Sequence, residues 1–554
     1  MSKTQSKRSG KQPGPVGSGA RDKAWRARVA GLPATVVRFL ENAADAISAR
    51  RLREAERALV AAMALAPQHV EVIRLRGVLC HLQGRYAEAV TTLRDGLALH
   101  PDDAMTLNNL GSALRADGDA IEAIKAFERA SELQPGLAAV WYNLGKTLKS
   151  QARIEDAKVA LQRSLELEPG HAAARMVLGD ACKGLGEIDA AAQCYRTVLK
   201  SNPRNGQAWF ALANLKTVRF TEDESAQLAK LINSGELSDE DRIAMGFTRV
   251  KALEDAGQFA EAYAALASAN ALKRKSVTWD AKAHSAWIDR IAAAFAQPVA
   301  AASPEAQGSE VIFVVSLPRS GSTLTEQILS AHSQVEGASE LPDLPAIIEE
   351  ESRRRGHPYP GWVGDASPED WARLGQAYLD RTARWREQRP RFTDKGLSNW
   401  AYVGAIMAML PQARVVICRR DPLETCFSCF QQLFARGQDF SYAIEDVVAY
   451  WRDFDRLSRH WANLFPGRAQ ESVYEHLVDD PETAIFDLLA FCGLPLEVSC
   501  LSFHTAERVV RTASAAQVRQ PMRRDTARAP RYGQALDPLR NALSGTAVGS
   551  VGKS

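Results

Sequence analysis

One stretch decides the fold of the C-terminal part of the chain: Val311-Ile-Phe-Val-Val-Ser-Leu-Pro-Arg-Ser-Gly-Ser-Thr-Leu-Thr-Glu-Gln-Ile-Leu329. A β-branched apolar run leads into a short turn of Pro, Gly and Ser, and a helical apolar pattern follows. This order predicts a strand, a tight loop and the N-terminus of a helix. Because the first amides of a helix are unpaired and carry the positive end of its dipole, we expect the loop to hold a phosphate-like anion.

The loop differs from the nucleoside-triphosphate loop, which has the form G-x-x-x-x-G-K-[ST]. Here Gly321 is followed by Ser322 and Thr323, and the lysine is missing. The cation of the loop is Arg319, which lies before the glycine. This pattern argues against a P-loop kinase.

The sequence upstream of this stretch repeats with a constant period, equal to the number of residues from Pro67 to Pro101. The repeated positions are Pro67, Pro101, Pro135, Pro169 and Pro203, then Gly77, Gly111, Gly145 and Gly179, then Ala55, Ala89, Ala123, Ala157 and Ala191. Each unit is predicted to hold two amphipathic helices, with the small residues at the close approach and the proline ending the second helix. Because one pair cannot bury its own apolar face, the units are predicted to stack into a solenoid.

These repeats resemble a tetratricopeptide array, most clearly at Trp141-Tyr-Asn-Leu-Gly145. The predicted units are 36–69, 70–103, 104–137, 138–171 and 172–205. The next unit, 206–241, is degenerate, and a last helix pair around 252–262 extends the predicted array over 36–280. The resemblance implies a protein or peptide partner, and the alternative is a plain α-solenoid without one.

From residue 309 onward, short β-branched runs alternate with helical patterns. The predicted strands are Val311–Val315, Arg391–Asp394, Arg414–Cys418 and Glu471–Tyr474. Such alternation predicts βαβ units and a mainly parallel sheet. The predicted fold is therefore multidomain, an all-α solenoid followed by a P-loop-like α/β domain over 309–540. Ligands of such sheets bind beyond the carboxyl ends of the strands, which is where the candidates below fall.

The sequence Pro-Arg-Ser-Gly-Ser-Thr after a strand resembles the 5′-phosphosulfate loop of PAPS-dependent sulfotransferases, in particular the tyrosylprotein sulfotransferase branch. PAPS is 3′-phosphoadenosine 5′-phosphosulfate. The resemblance implies that the 5′-phosphate is held by Ser320, Gly321, Ser322 and Thr323. It also implies that Arg319 faces the sulfuryl group.

A second motif, Arg420-Asp-Pro, follows a predicted strand, and Ser428 lies further along the predicted helix after it. Asp421 is predicted to cap this helix, whose first residue is Pro422. An arginine fork with a hydroxyl suits a phosphate monoester. The resemblance implies that Arg420 and Ser428, at the family's spacing, bind the 3′-phosphate of PAPS.

The resemblance also implies the residues of the transfer step. Glu340 follows Arg319 at the offset of the family's catalytic base. A carboxylate base must reach the acceptor hydroxyl, and partial burial would raise its pKa toward neutrality. Glu336 competes for this position, and His332 is the second-choice base. Lys395 would stabilise charge that builds on the bridging oxygen as sulfate leaves.

Two late residues also match the family. Tyr474 resembles a tyrosine that contacts the cofactor, with plain strand packing as the alternative, and Ser514 matches a serine near the transferring sulfate. Asn399 and Trp400 are expected to line the acceptor side.

The sequence departs from the family in two places. Gln432 stands where tyrosylprotein enzymes tend to carry an arginine, which weakens the expected 3′-phosphate site. The basic segment that is expected to close over the cofactor offers Arg528 or Arg531 without deciding between them.

The composition sets outer limits. The 554 residues are too many for one core, and a net charge of +3 gives no argument for nucleic acid. No apolar run approaches the roughly 20 residues of a transmembrane helix. Residues 1–30 are predicted to be a disordered basic tail, and 541–554 a flexible one. The eight cysteines, including Cys426-x-x-Cys429, are interpreted as packed thiols of a cytoplasmic protein, and no metal-ligand cluster is evident.

We therefore expect a sulfotransferase that moves a sulfuryl group from PAPS to an acceptor hydroxyl without a metal. Protein tyrosine is one acceptor, and a carbohydrate or lipid-linked hydroxyl is another. The competing hypothesis is an interaction scaffold with a degenerate nucleotide-binding domain. The presence of Arg319, Glu340, Lys395, Arg420 and Ser428 together argues against it.

Overall fold

The computed structural model describes residues 25–299, 307–435, 437–505 and 527–545. They separate into two compact units, divided between Pro203 and Arg204. The first unit is helical. Its helices are α1 (Ala34–Ser48), α2 (Leu52–Leu65), α3 (Val70–Leu82), α4 (Tyr86–Leu99), α5 (Ala104–Asp117), α6 (Ala120–Leu133), α7 (Ala138–Ser150), α8 (Ile154–Leu167), α9 (Ala172–Gly184) and α10 (Ile188–Ser201).

The predicted helix pairs of the first unit are confirmed. Each repeated glycine lies against a large side chain of the second helix of its own pair. A Cβ added to Gly111 would lie 2.7 Å from Cε1 of Phe127, and one added to Gly179 would lie 2.5 Å from Cε1 of Tyr195. The five repeated alanines are fully buried. The period of the sequence therefore marks the contact between the two helices of a pair.

The predicted tail over 1–30 is too long at its C-terminal end. Arg28 forms ion pairs with Glu71 at 2.5 Å and with Asp103 at 2.7 Å, and Val29 is buried. The partners lie 43 and 75 residues away, so local composition could not reveal them. Residues 1–24 lie outside the described part of the chain.

The second unit begins with helices and continues into a sheet. Its first helices are α11 (Gly206–Ala213), α12 (Glu222–Ile232), α13 (Asp239–Asp255), α14 (Phe259–Arg274) and α15 (Ala281–Ala294). Then follow β1 (Val311–Ser316), α16 (Ser322–Ser330), β2 (Val335–Gly337), α17 (Asp343–Arg355), α18 (Pro368–Arg381), β3 (Arg391–Asp394), α19 (Val403–Met409), β4 (Arg414–Arg419), α20 (Pro422–Phe430), α21 (Ile444–Leu464), β5 (Ala469–Val473), α22 (Tyr474–Asp479), α23 (Pro481–Phe491), α24 (Val498–Leu501), α25 (Ala529–Tyr532) and α26 (Asp537–Ser544).

The five strands form one parallel sheet in the order β2-β3-β1-β4-β5. The predicted α-solenoid followed by an α/β domain is confirmed, and the four predicted strands are present. The short β2 was not predicted. All six residues of β1 are buried, which is expected for a central strand covered on both faces. The loops after β1, β3, β4 and β5 therefore lie at one edge of the sheet, where ligands of such folds bind.

Helices α13 to α15 share a hydrophobic core with the sheet. Ile243, Leu266 and Phe295 belong to the same buried cluster as Phe313 of β1. The side-chain amide of Asn270 also donates to the carbonyl of Phe430 at 2.8 Å. The packing boundary therefore lies at residue 204, earlier than the boundary predicted between 280 and 309, because the apolar faces of these helices pack on the α/β core.

The C-terminal end of the domain also extends past its predicted limit at residue 540. Helix α26 continues to Ser544, and Leu539 is buried on it. The guanidinium of Arg452 donates to the carbonyl of Ala542 at 2.7 Å and so satisfies the end of this helix. Among the described residues, no helix is both long enough and apolar enough to cross a membrane.

Candidate active site

The loop after β1 turns sharply at two residues. Arg319 has φ +71° and Gly321, which caps α16, has φ +91°. The ring of Tyr474 lies directly over the glycine, since a Cβ added to Gly321 would lie 2.7 Å from its Cδ2 atom. Position 321 therefore requires glycine for two reasons, the left-handed backbone and the close approach of the Tyr474 ring.

Arg420 joins the same cluster from the end of β4. Its Nη1 donates to the carbonyl of Arg319 at 3.3 Å, and its guanidinium carbon lies 4.7 Å from the ring centroid of Tyr474. The loop, Arg420 and Tyr474, which the sequence placed in three separate motifs, thus meet at the edge of the sheet. The tyrosine does more than pack on a strand, because it contacts both the loop and the arginine.

The cluster is strongly cationic. Burial, together with the nearby charges of Arg528 and Arg420, lowers the pKa of Arg319 to about 10. Burial and two neighbouring positive charges thus disfavour the charged form of Arg319. A multiply charged anion would remove this cost, so the residues fit a ligand that carries phosphate or sulfate groups.

The predicted cap of α20 is present. Asp421 accepts from the amide of Glu424 at 2.8 Å, and Pro422 is the first residue of the helix. Ser428 lies further along the same helix, is 6% exposed, and lines the same pocket as Arg319. Ser428 and Arg319 thus line one pocket.

Glu424 is a residue that the sequence analysis missed. Its buried carboxylate accepts from the backbone amides of Arg528 at 2.9 Å and of Ala529 at 2.8 Å. This contact fixes the C-terminal segment beside α20 and brings the half-buried Arg528 close to Arg319, whereas Arg531 is exposed. Glu424 and Arg528 are separated by 104 residues, so no local pattern could have indicated the pair.

Glu340 and Lys395 lie together at the neighbouring strand ends. The Nζ atom of Lys395 donates to Oε1 of Glu340 at 2.9 Å, and the lysine is 1% exposed. The glutamate side chain is 47% exposed, which differs from the partly buried environment that was expected. The reason is its position on an open loop, directly after Ser339, whose carbonyl accepts from the amide of Lys395 at 2.9 Å.

A second missed carboxylate orients this loop. Glu326 of α16 is 1% exposed, and its Oε1 accepts from the amide of Ser339 at 2.8 Å and from the hydroxyl of Thr393 at 3.0 Å. It therefore ties α16, the helix after the β1 loop, to the segment that carries Glu340. A polar residue inside the apolar pattern of α16 was the available signal.

Asn399 and Trp400, which were expected to line the acceptor side, are both buried, and that role stays a prediction. The amide of Asn399 donates to Asp394 at 3.1 Å, and Trp400 packs edge-on against Tyr450. Burial raises the pKa of the Asp394 carboxyl to about 7, against the hydrogen bonds that it accepts, among them one from Tyr378. These groups build the turn beneath Lys395.

His332 is not placed as a base. It is fully buried, with Nε2 at 3.0 Å from the carbonyl of Pro495 and Nδ1 accepting from the amide of Gln334 at 3.1 Å. Cys426 and Cys429 are buried in α20, and the Cys429 thiol donates to the carbonyl of Pro318 at 3.3 Å. Within the described segments no group of three or more His, Cys, Asp and Glu side chains could hold a metal ion.

The remaining predicted residues are the serines beside Gly321 and Ser514. Ser320 is buried in the loop, and Ser322 is buried as the first residue of α16. Ser514 lies outside the described residues, so its role stays a prediction. Gln432 follows α20 and lines the same pocket as Ser428.

Comparisons with known proteins agree with this architecture. Residues 311–498 match the model of the Sulfotransferase family, and residues 46–106, 102–168 and 150–215 match Tetratricopeptide repeat models. An uncharacterized protein of Aquifex aeolicus (strain VF5) is 32% identical over 354 residues, covering 60% of this chain and 46% of that protein. This chain therefore spans less than half the length of that relative.

Two further similarities are more distant. A Caenorhabditis briggsae protein with the provisional name protein-tyrosine sulfotransferase is 24% identical over 198 residues, covering 35% of this chain and 69% of that protein. A solved tetratricopeptide repeat protein from Parabacteroides merdae is 18% identical with a TM-score of 0.32, covering 43% of this chain and 94% of that chain. The chain thus combines a region that matches Tetratricopeptide repeat models with a domain that matches the Sulfotransferase family model.

Proposed function

We propose that the α/β domain transfers a sulfuryl group from PAPS to an acceptor hydroxyl. The observation that carries this proposal is the convergence of Arg319, Arg420 and Arg528 beside the loop at Gly321. Such a cationic cluster suits a nucleotide with anionic groups at both its 3′ and 5′ positions. The match to the Sulfotransferase family model supports sulfuryl transfer as the chemistry.

In this proposal the loop and the second motif divide the nucleotide between them. The backbone at Gly321 and the adjacent serines hold the 5′-phosphate at the N-terminus of α16. Arg420 and Ser428 hold the 3′-phosphate. The ring of Tyr474 keeps Arg420 in place by a cation–π contact, which fixes the guanidinium before the ligand arrives.

Glu340 and Lys395 carry the transfer step. Glu340 takes the proton from the acceptor hydroxyl while that oxygen bonds to sulfur. The bond between sulfur and the 5′-phosphate oxygen breaks, and its electron pair stays on the phosphate. Arg319 and Lys395 offset this negative charge, so the step as proposed needs no metal ion. The 2.9 Å contact between Lys395 and Glu340 supports this part of the proposal, because the proposed base and cation are neighbours.

We propose a polypeptide tyrosine as the acceptor. The named Caenorhabditis briggsae relative supports this acceptor, and a repeat array in the same chain offers a surface for a polypeptide. A carbohydrate or lipid-linked hydroxyl is the alternative that the assay must separate. The eight cysteines are free buried thiols, which supports action in a reducing compartment such as the cytoplasm.

The first helices of four successive repeats carry a basic residue at the same position. This basic ladder consists of His81, Arg115, Lys149 and Lys183, which recur with the period of the repeats. A cation at a helix C-terminus has a structural explanation in the helix dipole. However, Lys146 adds a further charge, and its pKa is lowered by burial and by Arg115 and Lys149.

The ladder contains few compensating carboxylates. Asp180 accepts from Lys149 at 2.6 Å and from the hydroxyl of Tyr195 at 2.9 Å. On the first helices of two successive repeats, the side-chain amide of Asn143 donates to Asn108 at 2.9 Å, and such side chains can bind a peptide backbone. We therefore propose that the repeats bind an acidic polypeptide segment.

The activity is tested with PAPS labelled in its sulfuryl group. The purified chain should transfer the label to a tyrosine-containing acidic polypeptide, and the same polypeptide with phenylalanine should stay unlabelled. Arg319→Ala should lower the rate by about 100-fold or more, since one charge-stabilising donor is lost. Transfer to glycans or lipids alone would contradict the tyrosine acceptor, and no transfer to any hydroxyl would contradict the activity.

The repeat surface is tested by binding of polyglutamate to the full chain. Replacing Arg115, Lys149 and Lys183 together by alanine should weaken binding by about tenfold or more. The control replaces Lys125 and Arg163, which lie exposed on second helices, and should bind as the parent does. Equal binding of single-stranded DNA would mean a general polyanion surface and would contradict a polypeptide site.

A further inference from the structure

A pocket of about 340 Å³ lies beside the phosphate loop within the second unit. The α/β domain contributes Arg319 and Ser428, and the C-terminal segment contributes Arg528. The opposite wall comes from the helices before the sheet and includes Lys216 and Lys251. Helices that the sequence assigned to the repeat array thus line the pocket of the α/β domain.

The wall is held against the α/β domain by specific contacts. The hydroxyl of Tyr532 donates to Glu254 of α13 at 2.6 Å, and the side-chain amide of Gln431 donates to the same carboxylate at 3.0 Å. The ring of Tyr532 also packs against Phe259 of α14 and Phe427 of α20, with ring centroids 5.3 and 4.7 Å away. Residues of α13 therefore keep a fixed position relative to α20, which carries Ser428.

The pocket is lined by five cationic side chains and two carboxylates. The carboxylates are already engaged, Glu254 as just described and Asp255 by Lys251 at 2.5 Å. Lys251 is 19% exposed, and the ion pair within α13 holds its ammonium group at the pocket wall. Since an ammonium group has three donors, Lys251 can keep Asp255 and still bind an anion.

We propose that Lys251, assisted by Lys216, binds the 3′-phosphate of the nucleotide from outside the α/β domain. The ligand is a phosphate monoester that reaches Ser428, which lines the same pocket. The inference rests on the proposed function, because it assumes that a 3′-phosphorylated nucleotide occupies the site. It gives the helices before the sheet a part in nucleotide binding.

A neutral residue of the same pocket offers a way to test the charge. Gln432 lines the pocket, and its side-chain amide donates to the carbonyl of Leu433 at 3.2 Å. An arginine at position 432 would bring a cation to the pocket from the end of α20 instead of α13. If Lys251 acts through its charge on the ligand, Gln432→Arg should compensate for its loss.

The experiment compares two nucleotides by calorimetry, 3′,5′-phosphoadenosine and adenosine 5′-phosphate. Lys251→Ala should weaken the first about tenfold and leave the second unchanged, because only the first has a 3′-phosphate. Gln432→Arg in the Lys251→Ala background should restore the first. Lys230→Ala, an exposed lysine of α12, is the matched control and should bind as the parent does.

Asp255→Asn separates ligand binding from a structural ion pair. If the lysine serves the ligand, removing its competing carboxylate should tighten binding of 3′,5′-phosphoadenosine or leave it unchanged. If the ion pair only stabilises α13, both Lys251→Ala and Asp255→Asn should weaken the binding of both nucleotides. That result would overturn the inference. Unchanged binding in Lys251→Ala also overturns it. A parent protein that binds neither nucleotide would overturn the proposed function itself.

Discussion

The two units of this chain are built from different kinds of contact. In the repeats, Gly111 meets Phe127 and Gly179 meets Tyr195, each pair within a single repeat. In the second unit, Arg420 reaches Arg319 across 101 residues, and Glu424 holds Arg528 across 104. Local contacts repeat and leave a period in the sequence, whereas the site depends on contacts that leave none.

Because of this difference, we expect the two units to respond differently to a substitution. A repeat array is a sum of unit stabilities and neighbouring interfaces, so damage to one unit stays close to that unit. The pocket in the second unit is lined by residues of the loop after β1, of α13, of α20 and of the C-terminal segment. A single change there should alter chemistry or binding without unfolding the chain.

The largest expected effect lies in the second unit. Glu340→Gln should lower turnover by about 100- to 10,000-fold, because the proton of the acceptor loses its base. Binding of 3′,5′-phosphoadenosine should stay within about twofold of the parent, since the side chain is 47% exposed and pairs with Lys395. Single-turnover rates and calorimetry measure the two quantities separately.

Normal turnover in Glu340→Gln would remove the proposed base. Glu336→Gln is the matched control, because Glu336 lies on β2 and pairs with Arg389 at 3.6 Å. If the control loses turnover and Glu340→Gln does not, the role passes to Glu336.

A second test concerns the pH dependence of stability in the α/β domain. Burial raises the pKa of Asp394 to about 7 in the fold, above its ordinary value of 3.8. The protonated form is therefore favoured in the fold, and this contribution is present below about pH 4 and lost as the pH rises through 7. Asp394→Asn should flatten the fall in the free energy of unfolding over this range, which amounts to about 1.4 kcal/mol per pKa unit.

Chemical denaturation at pH 4 and pH 7 measures this change. Asp380→Asn, an exposed carboxylate at the end of α18, should keep the slope of the parent. If the free energy of unfolding of Asp394→Asn falls with pH as steeply as that of the parent, the Asp394 carboxyl has its ordinary pKa in the fold, which would contradict the prediction.

The smallest expected effect lies in the repeats. Gly111→Ala would place a Cβ 2.7 Å from the Phe127 ring, and we expect a loss of about 1 to 3 kcal/mol in the free energy of unfolding. Gly136→Ala is the control, because nothing lies within 4 Å of its added Cβ. Nucleotide binding should stay unchanged in both, and a loss of nucleotide binding in Gly111→Ala would contradict the separation between the units.

The sequence was informative where a residue type had one physical use. The repeated Pro, Gly and Ala positions predicted the helix pairs, and Gly321 predicted the tight turn between β1 and α16. The binding roles of Arg319 and Arg420 stay predictions. The sequence failed for Glu326, Glu424 and Arg28, whose partners are distant in sequence. The sequence also placed the domain boundary between 280 and 309, whereas the structure has it at 204. The reason is that the apolar faces of α13 to α15 have the same sequence pattern as repeat helices, although they pack on the sheet.

The measurement that tests the central claim most directly is calorimetry of 3′,5′-phosphoadenosine with the purified chain in the absence of magnesium. We predict metal-independent binding that ATP does not compete for. In Arg420→Ala this binding should weaken by about 10- to 100-fold, since a charged hydrogen-bond donor to the 3′-phosphate is lost. No binding by the parent, or equal binding by Arg420→Ala, would contradict the assignment of this cluster as a nucleotide site.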